Sequence, residues 1–343
     1  MGLLVTGGLG FIGSNFILSM LKTYQDLSVT NLDLITYAGN LENLLDVKDY
    51  GNRYTFIKGD ITDKSLVNEV ISAKPDVVVN FAAESHVDRS ILDASAFLKT
   101  NIIGVQTLMD CCREYGVERF VQISTDEVYG SLGAADPAFV ETNMLKPNSP
   151  YSASKASADL LARAYHKTYN MDVVITRCSN NYGPLQFPEK LIPLMITNAI
   201  QDQELPVYGD GLNVRDWINV LDHCRAIDTV MRDGKSGGIY NIGGSCEYTN
   251  IDIVRLILTK LNKPFSLIKY VQDRPGHDRR YAMNAAKIHD ELGWAPSIDF
   301  EEGIDATIKW YIENESWWRK IKSGEYLDYY EKWYGRRGNR PDI

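Results

Sequence analysis

Through the first half of the chain, short and nearly continuous apolar runs alternate with longer stretches in which apolar residues recur every three or four positions. Residues 3–6, 28–32, 54–57, 76–81, 119–124 and 173–176 have the uninterrupted apolar character of strands buried on both faces. Residues 11–24, 64–73, 94–115 and 151–169 have helical length and spacing. Such alternation predicts an α/β fold, a doubly wound parallel sheet of Rossmann type. The pattern does not give the strand order.

The rhythm breaks near residue 180. Asn180-Asn181-Tyr182-Gly183-Pro184 is followed by Pro188, Pro193 and Pro206, which predicts a second, smaller α/β substrate lobe. The expected division is a nucleotide-binding domain over 1–180 and a lobe built from 181–213 and 245–318. Segment 214–244, with its strand-like run Ile239–Ile242, is expected to return to the main sheet. Residues 319–343 are rich in Trp, Tyr, Lys and Arg and read as a packed aromatic tail.

Composition narrows the class. A length of 343 residues suffices for one large core or two unequal ones. The net charge of −9 argues against a nucleic-acid surface, and no apolar run is long enough to span a bilayer. A glycine motif beginning at Gly7 argues against a signal peptide. The five cysteines (Cys111, Cys112, Cys178, Cys224 and Cys246) are odd in number and lack a C-x-x-C, as expected of reduced thiols in a cytoplasmic protein. The five histidines lack metal-ligand spacing, so no catalytic metal is expected.

Gly7-Gly8-Leu9-Gly10-Phe11-Ile12-Gly13 joins the first expected strand to the first expected helix. In that context Gly7 permits a tight turn, Gly10 lets backbone approach a pyrophosphate, and Gly13 lets helix and strand pack closely. N–H groups at the helix start then face the diphosphate. Asp33, at the end of the second strand, is placed to accept hydrogen bonds from ribose hydroxyls and to repel a 2′-phosphate, which favours NAD over NADP. Asp60-Ile61 and Phe81-Ala82-Ala83 follow the third and fourth strands, at the carboxyl ends where ligands bind in open α/β sheets. Asp60 reads equally well as a helix N-cap.

Tyr151 and Lys155, four apart on an expected helix, share one face. A tyrosine of ordinary pKa near ~10 is a weak base at neutral pH unless cations favour its phenolate; Lys155 and an oxidised nicotinamide are suited to supply that field. Tyr54 and Lys58 have the same spacing but lie in a strand-like run, where such residues do not form the same compact pair. Upstream, Ser124-Thr125-Asp126-Glu127 ends the fifth strand. Thr125 is placed to hold a substrate alcohol near Tyr151. Asp126 and Glu127 have two readings, a turn with a capping acid or an acid–base pair. Their position directly after the hydroxyl residues favours the second, and elimination of water requires such a pair whereas simple hydride transfer does not.

These motifs, together with Ala82-Ala83-Glu84-Ser85-His86-Val87-Asp88-Arg89-Ser90, Arg177-Cys178-Ser179-Asn180-Asn181-Tyr182-Gly183-Pro184 and Arg274-Pro275-Gly276-His277-Asp278-Arg279-Arg280-Tyr281, resemble the dTDP-glucose 4,6-dehydratase family of the extended short-chain dehydrogenase/reductase superfamily. The likeness runs from residue 2 to about Trp318, with Leu9 standing where alanine is commoner. The resemblance implies bound NAD, C4 oxidation of a glucosyl nucleotide, loss of water across C5/C6 and return of hydride to C6. It gives Tyr151 the C4 hydroxyl proton, Glu127 the C5 proton, and Asp126 the proton delivered to the departing hydroxyl, with Thr125 and Lys155 completing the catalytic set. The cofactor set it implies is Gly7, Gly10, Phe11, Ile12, Gly13, Asp33, Asp60, Ile61, Ala82, Tyr151 and Lys155. The substrate set is Ser85, Thr125, Asn180, Lys190, Pro206, Tyr208, Arg215, Asn250 and His277; on residues alone Arg215 reads equally as a surface ion pair and Tyr208 as a packed loop aromatic. His86 and Arg89 are expected to join the lobes by hydrogen bonds.

The resemblance further implies a homodimer packed through helices 94–115 and 151–169, and a place in deoxysugar biosynthesis such as that of rhamnose. Alternatives on the same fold are a sugar-nucleotide 4-epimerase or decarboxylase, a dehydratase acting on UDP-glucose, or a non-catalytic NAD-binding protein. A single methyl group separates thymine from uracil, worth only ~1–3 kcal/mol of discrimination.

Overall fold

The computed structural model describes residues 1–323. Its first half runs β1 (Gly2–Thr6), α1 (Phe11–Thr23), β2 (Ser28–Asp33), β3 (Tyr54–Lys58), α2 (Lys64–Ser72), β4 (Val77–Asn80) and α3 (Val87–Leu92). It continues through α4 (Ser95–Leu98), α5 (Val105–Tyr115), β5 (Arg119–Thr125), α6 (Pro150–Tyr169) and β6 (Val173–Cys178). The second half contains β7 (Asn180–Tyr182), α7 (Leu191–Ile200), β8 (Leu205–Tyr208), β9 (Val214–Asn219), α8 (Val220–Asp233) and β10 (Ile239–Ile242). β11 (Glu247–Thr249), α9 (Asn250–Lys260), β12 (Ile268–Val271), α10 (Ala286–Leu292), α11 (Phe300–Glu313) and α12 (Glu315–Ile321) follow.

Seven strands form one sheet in the order β10-β6-β5-β4-β1-β2-β3, with every neighbouring pair parallel. The chain turns back between β1 and β4, and ligands bind outside the carboxyl ends of strands at such a switch point. Alternation within β1 shows why its run is continuous. Leu3 and Val5 pack with Phe16, Ile17 and Ile227 on one face, whereas Leu4 packs with Leu108, Met109 and Ala158 on the other. Each face of the sheet therefore buries its own helical layer.

A separate core lies beyond the sheet, where Ile192, Met195, Trp217, Ile257, Ile304 and Trp318 pack together. It joins α7, α9, α11 and α12 to the antiparallel β11–β9 pair and to β7. The parallel pair β12–β8 lies alongside. Of the expected aromatic tail, residues 319–321 complete α12, whereas 324–343 lie outside the described residues.

Two local features position the site. Helix α6 begins with Pro150, and Ser149 and Ser152 cap it reciprocally, which fixes Tyr151 in the first turn. The single helix expected over 94–115 is instead interrupted by a π-turn at Lys99–Gly104. There the Asn101 amide accepts the Glu84 N–H at 2.9 Å and donates to the Glu84 carbonyl at 3.0 Å and Ser154 Oγ at 2.8 Å. Hydrophobic periodicity carries no trace of these polar bonds, and π-turns cluster at functional sites.

Candidate active site

A cleft opens at the switch point, lined by the glycine loop, Asp33, Asp60, Ile61, Ala82, Ser85, Thr125, Asp126, Glu127, Tyr151, Lys155, Asn180 and Lys190, among others. Gly7 has φ +70°, and a Cβ there would stand 2.5 Å from the Ala82 nitrogen; one on Gly13 would stand 2.5 Å from the Gly7 carbonyl oxygen. Both glycines are required by the protein's own packing. Gly10 differs: a Cβ there would meet only the Gly7 oxygen, at 3.4 Å. Its bare edge faces the cleft, as close approach by a ligand requires. Helix α1 starts here with no side-chain cap and no acid in its first turn, so its positive end is open to an anion.

Asp33 holds its place through both oxygens, accepting the Leu9 N–H at 2.9 Å and the Ile35 N–H at 2.7 Å. Burial raises its pKa and those two backbone donors oppose the rise. A buried carboxylate fixed at a strand end beside an open helix N-terminus fits the adenosine ribose and diphosphate of a dinucleotide. Asp60 lines the cleft, but its oxygens already accept the Thr62 N–H at 2.8 Å and Lys99 Nζ at 3.3 Å. Asp60 is therefore not the helix N-cap it was expected to be: Asp63 caps α2, accepting the Ser65 and Leu66 N–H groups, and Asp60 holds only the turn before it. Ile61 is buried beneath Gly104.

At the end of β5 the capping residue is Thr125 rather than either acid, since its hydroxyl accepts the Glu127 N–H at 3.2 Å. The same hydroxyl donates to Asp126 Oδ1 at 3.1 Å. Asp126 Oδ2 is buried and has no partner. Burial and then the neighbouring Glu127 push the Asp126 carboxyl well above the usual range, against the Thr125 hydrogen bond and Arg215. Burial also raises Glu127, but Arg274, Lys190 and Arg215 pull it back. The two carboxyls therefore differ in kind. Burial and Glu127 push Asp126 towards its acid form, whereas Glu127 is the one cations favour as a carboxylate.

Tyr151 is buried against Phe97 at 6.3 Å between ring centroids, and its N–H donates to Ser90 Oγ at 3.2 Å. Burial first, then Glu127, Cys178 and Asp126, drive its phenol well above the ordinary value. Lys155 Nζ donates to the Ile123 carbonyl at 2.7 Å, and burial lowers its pKa. Protein groups alone thus oppose a phenolate at Tyr151, leaving a need for added positive charge in the cleft.

Behind the Glu127 end stands a basic wall. Lys190 Nζ donates to the Ser85 carbonyl at 3.0 Å. Arg215, buried, stacks 4.4 Å over Tyr281 and donates to the Val214 and Asp278 carbonyls at 2.7 and 2.9 Å. It is no surface ion pair. His277 packs edge-on to Tyr208 at 6.0 Å, with Nδ1 2.6 Å from Asp273. Burial, then Arg274 and Arg215, lower the His277 pKa, and the Asp273 hydrogen bond opposes them. Asn250 opens α9 with a buried, unpartnered Oδ1, and Asn180 Oδ1 is likewise unpartnered. Pro206, like Tyr208, Arg215, Asn250 and His277, stands outside the lining of the cleft around Tyr151. It lies within β8 opposite Lys269, and only Tyr208, two residues on, reaches the lobe junction.

Sequence reasoning left several groups without a role. Arg274 lay inside a quoted motif, yet only its place near Glu127 distinguishes it from the neighbouring Arg279 and Arg280, which pair at the surface with Asp210 and Glu247. Glu189, almost fully buried, receives Arg89 at 3.3 Å and lies 3.9 Å from His86, so both expected lobe-joining residues converge on one acid that no sequence signal marked. Among the described residues no group of His, Cys, Asp or Glu has metal-binding geometry.

A family model described as GDP-mannose 4,6 dehydratase matches residues 4–307. A dTDP-glucose 4,6-dehydratase of Xanthomonas campestris pv. campestris (strain B100) is 50% identical over 342 residues, covering 94% of this chain and 96% of that protein. DesIV of Streptomyces venezuelae, a dTDP-glucose 4,6-dehydratase solved with NAD bound, superposes with a TM-score of 0.91 at 50% identity over 94% of this chain and all of its own. The Bacillus anthracis dTDP-glucose 4,6-dehydratase, also solved with NAD, gives 0.88 at 52% identity over 94% and 100%. The UDP-glucose 4-epimerase of Thermus thermophilus shares the fold (TM-score 0.84) at only 29% identity, over 92% and 100%. The parallel sheet, glycine loop and Tyr151/Lys155 helix define an extended short-chain dehydrogenase/reductase. Within that class, and at this level of identity, the chain belongs to the dTDP-glucose 4,6-dehydratase family.

Proposed function

We propose that this chain is an NAD-dependent hydro-lyase that converts dTDP-glucose to dTDP-4-keto-6-deoxyglucose. The observation that carries the reading is that a buried Asp126 with an unpartnered Oδ2 and a cation-flanked Glu127 line one cleft with Tyr151. Epimerisation at C4 has no use for such a pair. NAD, when bound, supplies the acceptor and donor of hydride.

The chain's own residues perform the proton transfers. Tyr151 takes the proton of the C4 hydroxyl, which the Thr125 hydroxyl orients. A ketone at C4 acidifies the C5 hydrogen, and Glu127 removes that proton. Asp126 delivers its proton to the leaving C6 hydroxyl, so water departs. Opposite protonation states in adjacent carboxyls are what burial and mutual repulsion produce. Lys190, Arg215 and His277, with Asn250, Tyr208 and Pro206, form the nucleotide-diphosphate side of the site, and Asn180 and Ser85 its sugar side. The small lobe (181–213 and 245–318) carries most of this set, and the sheet domain carries NAD.

A homodimer is part of the proposal. Leu98 and Ile103 beside α5, and Leu160 on α6, are exposed apolar side chains on the helices expected to pack between subunits. A cytoplasmic location is supported by the cysteines, all of which are free thiols. No helix among the described residues is long and apolar enough to cross a membrane. The product class is that of deoxysugar biosynthesis. Incubation with dTDP-glucose is expected to yield the 4-keto-6-deoxy product, faster than UDP-glucose is turned over; recovery of dTDP-galactose instead would overturn the reading.

A further inference from the structure

The three cations that face Glu127 are each held by something else. Lys190 is bound to the Ser85 carbonyl, and Arg215 to the Val214 and Asp278 carbonyls. Arg274 Nη1 lies 3.3 Å from Asp88 Oδ1. Among the described residues Glu127 itself has no ion pair within 4.0 Å and no side-chain hydrogen bond, although it lines the cleft. A carboxylate gripped by a guanidinium loses both oxygens to parallel N–H donors and becomes a weaker base. Leaving Glu127 ungripped among three cations is therefore a requirement for proton abstraction.

Arg274 is the cation that most needs restraint, because its Nε is buried without a partner and it exerts the largest cationic pull on Glu127. Its restraint is a carboxylate, a competitor of the same chemical kind as Glu127. Asp88 is 2% exposed, sits in the first turn of α3 and accepts Tyr208 Oη at 2.8 Å through its other oxygen. A helix N-terminus favours its negative charge.

We propose that Asp88 is a positioning residue for the base: from α3 it holds Arg274 and Tyr208 of the small lobe, keeping the guanidinium off Glu127. This inference rests on the proposed role of Glu127 in the dehydratase reaction. The charged and titratable groups facing Glu127 are Asp126 in its own turn, Tyr151 on α6, Lys190 before α7, Arg215 on β9, and Arg274, Asp278 and Tyr281 in the segment ahead of α10. Those facing Asp88 are Arg274, Tyr208 and Lys190. Removing the Asp88 charge has one sign on Glu127 by both routes. It takes a negative charge from the cluster and it frees Arg274 to pair with the base, and each lowers the pH at which Glu127 loses its proton.

The test uses NAD-loaded enzyme and the 4-keto-6-deoxy nucleotide in D2O, following deuterium entry at C5 as a function of pD. D88N is expected to move the acid limb of exchange down by about one unit and to lower the plateau about threefold, as a weaker base would. D88E, which can still reach Arg274, keeps the limb where the unmodified enzyme has it. D88N/R274Q returns the limb upward past that of D88N. A limb unmoved in D88N, including a uniform loss of rate at every pD from poorer folding, overturns the inference, as does a double variant that coincides with D88N. Absence of exchange in the unmodified enzyme would instead contradict the role of Glu127 itself, and the proposed function with it.

Discussion

Asp126 and Glu127 are chain neighbours in one turn, yet the fold seals Asp126 Oδ2 without a partner and opens Glu127 to the cleft beneath Arg274, Lys190 and Arg215. Both carboxyl pKa values are raised, Asp126 well above its ordinary range and Glu127 against the pull of those cations. Dehydration needs Asp126 protonated and Glu127 ionised. Rate is therefore lost on the acid side as Glu127 gains a proton and on the alkaline side as Asp126 loses one. A pH profile of turnover is expected to be bell-shaped with its acid limb above the usual glutamate range; a profile flat down through that range would contradict the arrangement.

Substituting Glu127 isolates the role of the base. Glu127→Gln is expected to leave NAD affinity unchanged while C5 exchange with solvent falls on the order of 10²–10⁴-fold, the usual scale of general-base removal. Unchanged exchange would mean that another group is the base. Equilibrium NAD titration beside the exchange assay checks both halves.

The glycine loop offers a contrast between packing and binding. Gly13→Ala forces a methyl within 2.5 Å of the Gly7 carbonyl, and Gly7→Ala adds an unfavourable φ of +70° to a 2.5 Å approach to Ala82. Both are expected to lower thermal stability and NAD affinity together. Gly10→Ala meets nothing in the protein closer than 3.4 Å. Its melting temperature in the absence of added ligand is expected to stay near that of the parent while NAD affinity falls. Parallel melting and binding curves for the three variants discriminate.

Beneath the site, Arg177 Nε and Asp159 Oδ2 pair at 2.8 Å with both side chains buried, and Arg177 Nη1 also donates to Tyr129 Oη at 2.8 Å. Removing one partner of a buried pair strands the other charge. Asp159→Ala is expected to destabilise the fold by about 3–5 kcal/mol in denaturant unfolding, more than truncation of the exposed Arg279–Asp210 pair, where about 0–1 kcal/mol is usual.

Much of this was legible in the chain because burial on both faces writes continuous apolar runs. Ile239–Ile242 joins the sheet edge against β6 as its four residues suggested, whereas Val214–Asn219, expected to return with it, pairs with β7 and β11 in the small-lobe sheet instead. Thr125, Asp126, Glu127, Tyr151 and Lys155 line one cleft, which their strand-end and helix-start positions foretold. What the sequence hid was polar and long-range. The π-turn at Lys99–Gly104 is set by Asn101 bonding to Glu84 and Ser154, partners 17 and 53 residues away. Asp88, Glu189 and Arg274 acquire meaning only when α3 meets the small lobe, a contact spanning 186 residues for Asp88 and Arg274. No local periodicity can encode such pairings.

The central claim is that hydrogen leaves C4 of a hexose and arrives at C6 of the same sugar while Glu127 and Asp126 remove water between. Supplying dTDP-glucose bearing deuterium at C4 and locating the label in the product by NMR tests this directly. The account predicts deuterium in the C6 methyl group of the 4-keto-6-deoxy sugar. Label found at C4 of a galactosyl nucleotide, or washed into solvent, would contradict it.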